Sequence, residues 1–262
     1  MGSATAQALA ASTQTLAAAK DVTLETAREL FAAARAVGAS SQLSGALADP
    51  SAPTSARQNV VSAVFGQYGS AAQDVLRTAV AERWSNASEL IDGLEELAIR
   101  AATIAESGAD IEGELFGFSR VIAANPELEL ALGSRLGDDA AKGPLVRSLL
   151  DGRASEATTL IVSSLVRQTR GRRIRQVLSR AMELVADQRG RTVATVVSAV
   201  PLSAAQSGRL AAALSKRYGT DVSINTVIDP SVVGGVRVQI ADDVIDASVS
   251  SRLAELRQRL AG

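Results

Sequence analysis

The spacing of apolar residues divides the chain into two regions. From the start to about position 190, apolar residues recur three and four positions apart in an Ala/Leu-rich background, which predicts amphipathic α-helices. One helix is expected over residues 23–37, with Gly38 as its stop, and a long helix is expected over 86–106. Short helices joined by brief loops are typical of an orthogonal bundle.

Beyond position 190 the apolar period becomes two, which is typical of strands. The predicted strands are residues 191–200, 221–228, 236–240 and 244–246. Ser203 and Gln206 form a capping-box pattern that starts a helix before the second strand, and residues 247–260 predict a last amphipathic helix. The expected fold class is α+β, in which a mostly α-helical bundle precedes a small α/β carboxyl-terminal domain.

The helical region contains an internal repeat with an offset of 85 residues. Glu29-Leu30-Phe31 aligns with Glu114-Leu115-Phe116, and the alignment continues to about Val80 without a gap. Chance agreement between two Ala/Leu-rich segments is the alternative explanation. A duplication predicts two serial six-helix-like modules. The expected domains are 1–105, 86–190 and 191–262, and the first two share the helix at 86–106.

Composition limits the chemistry that this chain can perform. Its 262 residues include no His and no Cys, which excludes thiolate nucleophiles, disulfides, histidine-dependent triads and the common zinc and haem sites. The chain has 27 Lys and Arg against 28 Asp and Glu, so its formal charge of −1 gives no general attraction to nucleic acid. The sequence predicts no signal peptide, no membrane span, no cofactor and no metal.

Two charged clusters have both a chemical and a structural interpretation. The arginine-rich segment 167–175 suits a nucleic-acid site, or a helix face that meets the acidic segment 82–139; the second is favoured because no aromatic side chain lies nearby to stack a base. The other cluster consists of Asp242, Asp243 and Asp246. Such a cluster suits a metal ion, but Asp pairs in hairpins more often form turns. The single Trp84 is either a core residue or a partner-facing anchor.

The carboxyl-terminal third carries a specific combination of motifs. They are VVSAVPLSAAQ at 196–206 and VIDPSVVGGVRVQIADDVIDASVSSRLAEL at 227–256. The combination resembles the delta subunit of the F-type ATP synthase, which is called the oligomycin-sensitivity-conferring protein in mitochondria. The matching residues are Pro201, Leu202, Asp229, Pro230, Gly234, Gly235, Ile245, Asp246, Ser248, Arg252 and Leu253. The helical part is similar to the six-helix amino-terminal domain of that family, but it is long enough for two copies.

The resemblance implies a structural subunit, not an enzyme. A stator subunit of this family holds amino-terminal helices of the α subunits of the catalytic head and, with its carboxyl-terminal domain, the b-type peripheral stalk. It serves ATP synthesis coupled to proton transport, and it is a peripheral protein at the cytoplasmic face of the cell membrane that reaches the membrane only through the complex. The alternatives are a helical-repeat adaptor unrelated to ATP synthase and, third, an enzyme restricted to carboxylate chemistry.

The resemblance also implies candidate partner-binding residues. The family's head-binding groove lies between the first and fifth helices, and either copy offers one. In the first copy it maps to Ala6, Leu9, Leu16, Val75, Leu76, Ala79 and Val80. In the second copy it maps to Ile91, Leu94, Ala98, Leu160, Ile161, Ser164 and Leu165. The stalk candidates on the last helix are Arg252, Leu253, Leu256, Arg257 and Arg259. Ordinary core packing is the alternative for the groove residues, and the choice between copies stays open.

Overall fold

The protein is described by a computed structural model that covers residues 2–134, 139–240 and 243–249. Contacts between residues divide the chain into two compact units, Met1–Val185 and Ala186–Gly262. In the first unit the described helices are α1 Ser3–Ala18, α2 Leu24–Ala39, α3 Ser41–Ala48, α4 Thr54–Phe65, α5 Ser70–Ala81, α6 Ala87–Ala105, α7 Ile111–Ala124, α8 Pro126–Gly133, α9 Asp139–Leu150 and α10 Glu156–Leu165. A helix α11, Ile174–Gln188, follows and continues into the second unit. Across the described residues, none of the helices combines the length and apolarity needed to cross a bilayer.

The bounds of the helices repeat with the offset found in the sequence. α3 and α8 differ by 85 residues at both ends, and so do α4 and α9. Shifted by the same 85 residues, α1 falls at 88–103, inside α6. The helical part therefore consists of two serial modules, α1–α6 and α6–α11, and α6 serves as the last helix of one and the first helix of the other.

The repeated glutamate of the two modules makes the same contact in each. Glu29 accepts a hydrogen bond from the backbone N–H of Gly69, at 3.0 Å, just before α5 begins. Glu114 accepts from the N–H of Ser155, at 3.0 Å, and from its hydroxyl, at 2.6 Å, just before α10 begins. Each carboxylate thus satisfies unpaired donors at a helix N-terminus, where negative charge is stabilising. This shared task explains why the Glu-Leu-Phe sequence recurs.

Gly38 does not end the second helix, contrary to the expectation from sequence. α2 continues through it to Ala39. A Cβ atom built on Gly38 would lie 3.6 Å from Cγ2 of Ile91 on α6, and it would overlap the side-chain amide of Gln168. The glycine therefore permits close approach of neighbouring segments instead of a left-handed helix end.

One continuous core joins both helical modules, and α6 runs through it. Ten of the 19 residues of α6 are buried, and they lie on nearly all sides of the helix. Trp84 belongs to this core, because its side chain is 3% exposed and its indole N–H donates to the carbonyl of Ala79 at 2.7 Å. The core interpretation of Trp84 is thereby confirmed. A helix that is buried all round has little surface left for an outside partner.

The second unit is a small four-stranded sheet with helix α12, Ala204–Tyr218. Its strands are β1 Arg191–Ser198, β2 Asp221–Ile228, β3 Val236–Ile240 and β4 Asp243–Asp246, in the spatial order β2-β1-β3-β4. β1 pairs parallel with β2 and antiparallel with β3, and β3 pairs antiparallel with β4. The predicted capping box of Ser203 and Gln206 starts α12, and Gly219 ends it with a φ of 73°. The fold class α+β is confirmed.

Candidate functional site

The first and fifth helices of the first module lie side by side. α1 and α5 run antiparallel, since Thr15 bonds to Thr78 at 3.2 Å while Thr5 lies 3.0 Å from Ser85 beyond the end of α5. Among the candidate head-binding residues of this copy, Ala6 is exposed. The others are buried: Leu9, Leu16, Val75, Leu76, Ala79 and Val80. They contribute to the core of the unit, as the core-packing alternative states.

The candidate residues of the second copy are also mostly internal. Leu94, Ala98, Ile161, Ser164 and Leu165 are buried. Ile91 and Leu160 are half-buried, and both pack against the core cluster. α2 of the first module contacts both α6 and α10, so part of this region is covered from within the chain.

Outward-facing small residues on α1 and α5 form a shallow surface that the sequence analysis did not identify. We call it the α1–α5 trough, and it consists of Ala4, Ala11, Ala18, Asp74, Thr78 and Ala81. All six are half-buried or exposed. A signal for it exists in the sequence, because the 16 residues of α1 contain no charged side chain. An outer helix face normally carries charge, and its absence here indicates a face prepared for a partner.

The two ends of the α1–α5 trough carry opposite charge. At the α1 carboxyl end a cleft of about 550 Å³ is lined by Asp21, Glu25, Glu29 and Asp74 as well as Lys20. At the α1 amino end a cleft of about 540 Å³ has Arg83 in its lining. The trough therefore has an acidic end and a basic end.

The arginine-rich segment makes ion pairs within the chain. Arg170 pairs with Asp92 at 2.6 Å, Arg172 with Glu95 at 2.8 Å, and Arg175 with Glu129 at 3.0 Å. The segment thus meets acidic residues of α6 and α8, which supports the helix-face interpretation over a nucleic-acid site. Burial raises the pKa of the Glu95 carboxyl, and the neighbouring Arg172 opposes that rise.

In the second unit the motif residues collect at one edge of the sheet, which we call the motif edge. Pro201 and Leu202 follow the end of β1, Asp229 and Pro230 follow the end of β2, Gly234 and Gly235 precede the start of β3, and Ser248 follows the end of β4. The pairing of β1 with β2 and β3, and of β3 with β4, brings these four points together. Ile245, in β4, packs against the sheet core.

Hydrogen bonds fix the loops of the motif edge. The N–H of Asp229 donates to the carbonyl of Ser198 at 2.9 Å, and the Asp229 carboxylate accepts from Ser231, which lowers its pKa. Gly235 has a φ of 76°, and a Cβ atom there would overlap the carbonyl oxygen of Ala247. Val200 and Val233 are each 66% exposed at this edge. The edge therefore combines rigid loops with exposed apolar side chains.

Asp246 at the motif edge is engaged in local bonds. Its carboxylate accepts from the N–H of Ser248, at 2.9 Å, and from Arg237, at 3.1 Å, and these bonds lower its pKa. Asp243 accepts from the hydroxyl of Tyr218 at 3.2 Å. Within the described residues no group of three or more acidic side chains is placed to hold a metal ion. Asp242 and the stalk candidates lie outside the described residues; the latter are Arg252, Leu253, Leu256, Arg257 and Arg259.

Comparison with known proteins decides the family. The family model for the ATP synthase delta (OSCP) subunit matches residues 98–260, and an ATP synthase subunit delta from Leifsonia xyli is 48% identical over 100% of both chains. The chain belongs to the ATP synthase delta (OSCP) subunit family. A relative of the same name from Streptomyces avermitilis is 40% identical over 98% of both chains. Among solved structures, a chain of the Toxoplasma gondii mitochondrial ATP synthase hexamer is 21% identical, has a TM-score of 0.38 and covers 64% of this chain and 97% of that chain.

Membership of the ATP synthase delta family excludes an adaptor unrelated to ATP synthase. The matched stretch 98–260 begins inside α6 and contains the rest of the second module and the second unit. The first module precedes it almost entirely, yet the delta subunit of Leifsonia xyli aligns with this chain over its whole length. The first module is thus part of the protein in such relatives, even though the family model does not include it.

Proposed function

We propose that this member of the ATP synthase delta family is a non-catalytic stator subunit that links the catalytic head to the b-type peripheral stalk. Through this link the torque of the rotor drives ATP synthesis coupled to proton transport. Family membership over the full length carries the proposal. The protein acts at the cytoplasmic face of the cell membrane as a peripheral part of the complex.

The division of the chain into two units supports a division of labour. The helical unit binds amino-terminal helices of the α subunits, and residues 191–262 bind the stalk. The motif edge supports the second assignment, because exposed Val200 and Val233 next to rigid loops suit an apolar contact with a partner. Arg252, Arg257 and Arg259 on the last segment supply positive charge for acidic side chains of the stalk.

A stator must resist torque without deforming, and the helical unit has features that suit this task. A single core spans both modules, and α6 is shared between them. Ion pairs such as Arg170–Asp92 add fixed contacts between the end of the second module and α6. Close-packed interiors have low compressibility, so such a unit transmits load with little internal movement.

Removal of residues 191–262 tests the proposal. The remaining chain is expected to co-purify with a head of α, β and γ chains and to lose the stalk, whereas the full chain retains both. Circular dichroism establishes that the helical unit stays folded after the deletion. If the shortened chain still holds the stalk, the division of labour is wrong, and if the full chain binds neither partner, the stator function itself is wrong.

A further inference from the structure

Equivalent positions of the two modules differ in exposure along the α1–α5 trough. With the offset of 85 residues, Ala11, Ala18, Thr78 and Ala81 correspond to Glu96, Thr103, Ser163 and Val166. The first four are half-buried or exposed, whereas the second four are 9%, 2%, 5% and 0% exposed. The same surface is therefore open in the first module and closed in the second.

The closure of the second copy has an identifiable cause. Glu96 accepts from Arg100 at 2.8 Å and from Arg180 of α11 at 3.1 Å, so its place is filled by ion pairs inside the chain. Glu89, the equivalent of Ala4, accepts from the hydroxyl of Thr5 on α1. Because α6 is shared, the first module and α11 occupy the space that an outside helix needs. α1 has no preceding module, and its equivalent positions stay free of such contacts.

We infer that the head-binding surface of this protein is the α1–α5 trough of the first module alone, and that it takes one amphipathic helix in a fixed direction. The inference rests on the proposed function and adds the choice of copy and the polarity of the bound helix. Small side chains such as Ala11 and Thr78 allow a partner helix to approach closely, and the uncharged α1 demands little desolvation. The partner is accordingly a helix with a continuous apolar stripe.

The charges at the ends of the trough set the direction. Asp21 and Asp74 are exposed at the α1 carboxyl end, and Arg83 is exposed at the α1 amino end. A helix N-terminus carries partial positive charge and its C-terminus partial negative charge. The bound helix therefore lies antiparallel to α1, with its amino end and basic side chains near Asp74 and its carboxyl end near Arg83.

Substitution of neighbouring alanines tests the surface. Ala18 and Ala17 are both exposed on α1 and lie about 100° apart around the helix, but only Ala18 belongs to the trough. In the full chain, A18R is expected to weaken binding to a purified head of α, β and γ chains at least tenfold, and A17R less than twofold. Thr159 on α10 is the equivalent of Asp74, and T159R is expected to leave binding within twofold.

The outcomes separate this inference from the proposed function. If the unmodified chain does not bind the head, the proposed function fails first. If the unmodified chain binds and T159R weakens it while A18R does not, the second copy is the site and the inference is overturned. Equal effects of A17R and A18R also overturn it, because binding would then not depend on the trough. Circular dichroism of each variant confirms that these exposed substitutions leave the helices intact.

Single cysteines test the direction of the bound helix, because the chain has none of its own. A4C and A18C are each labelled with a photo-crosslinker, and the cross-linked positions on the head are mapped by mass spectrometry. A18C is expected to attach near the amino end of the bound helix and A4C nearer its carboxyl end. The reverse order overturns the assigned polarity. D74K is expected to weaken binding two- to fivefold at low salt, with the difference shrinking as salt screens the charges.

Discussion

The contact between Trp84 and Gly93 yields a quantitative test of how closely α6 is packed. The Trp84 ring lies against Gly93, and a Cβ atom built on that glycine would overlap Cη2 and Cζ3 of the ring and lie 3.3 Å from Cζ2. Replacing Gly93 with Ala adds about 1 kcal/mol of helix propensity. Against this, the ring must move within a full core, which costs about 1–3 kcal/mol. The ring also risks its bond to Ala79, whose loss costs about 1–3 kcal/mol more.

G93A is therefore expected to destabilise the protein by about 1–3 kcal/mol in total. Gly45 provides the matched control, since it lies within α3 of the same module and nothing approaches within 4 Å of its Cβ position. G45A is expected to stabilise by about 0.5–1 kcal/mol, because only helix propensity changes. Urea unfolding followed by the emission of Trp84, the single tryptophan, reports both changes. A stabilising G93A would refute the tight packing of the ring against α6.

Two further predictions concern the repeated glutamate and the motif edge. E114A is expected to lower stability by about 2 kcal/mol, because Glu114 accepts three hydrogen bonds at the start of α10, whereas E29A is expected to cost about 1 kcal/mol, because Glu29 accepts from one N–H; far-UV circular dichroism in urea measures both, and a larger effect of E29A would contradict the bond count. The pKa of Asp246 is lowered by Ser248 and Arg237, so its ionised form stabilises the fold above the ordinary carboxyl range, and that contribution is lost as the pH falls through the lowered pKa. D246N is thus expected to lower the melting temperature at pH 7 and to approach the unmodified protein below about pH 4; a difference that persists at pH 3 would show that the carboxylate charge is not the cause.

Local pattern was sufficient to predict most helices and strands. The long helix over 86–106 corresponds to α6, Ala87–Ala105, and the strand over 221–228 corresponds to β2, Asp221–Ile228. Period and caps are written into neighbouring residues, as in the box of Ser203 and Gln206, so they need no knowledge of distant contacts. Gly38 shows the limit of such reasoning, because the same residue ends one helix and permits close packing inside another.

The candidate head site required more than pattern. An apolar stripe marks the residues that leave water, and in Leu76 and Ile161 it identified side chains that are buried in the chain's own core. A binding surface consists of what remains outside after folding. Ala18 and its equivalent Thr103 occupy the same place in the repeat, yet one is exposed and the other is 2% exposed.

The sequence by itself determined the fold class, the duplication, the family and the lack of His and Cys chemistry, since each of these depends on residue identity and spacing along the chain. Only the tertiary structure decided that α6 belongs to both modules and that the arginines near Arg170 meet the acids of α6. It also decided which copy of the repeat keeps an open surface. The physical reason is that exposure depends on which distant segments pack around a helix, and the repeat gives both copies similar sequences but different neighbours.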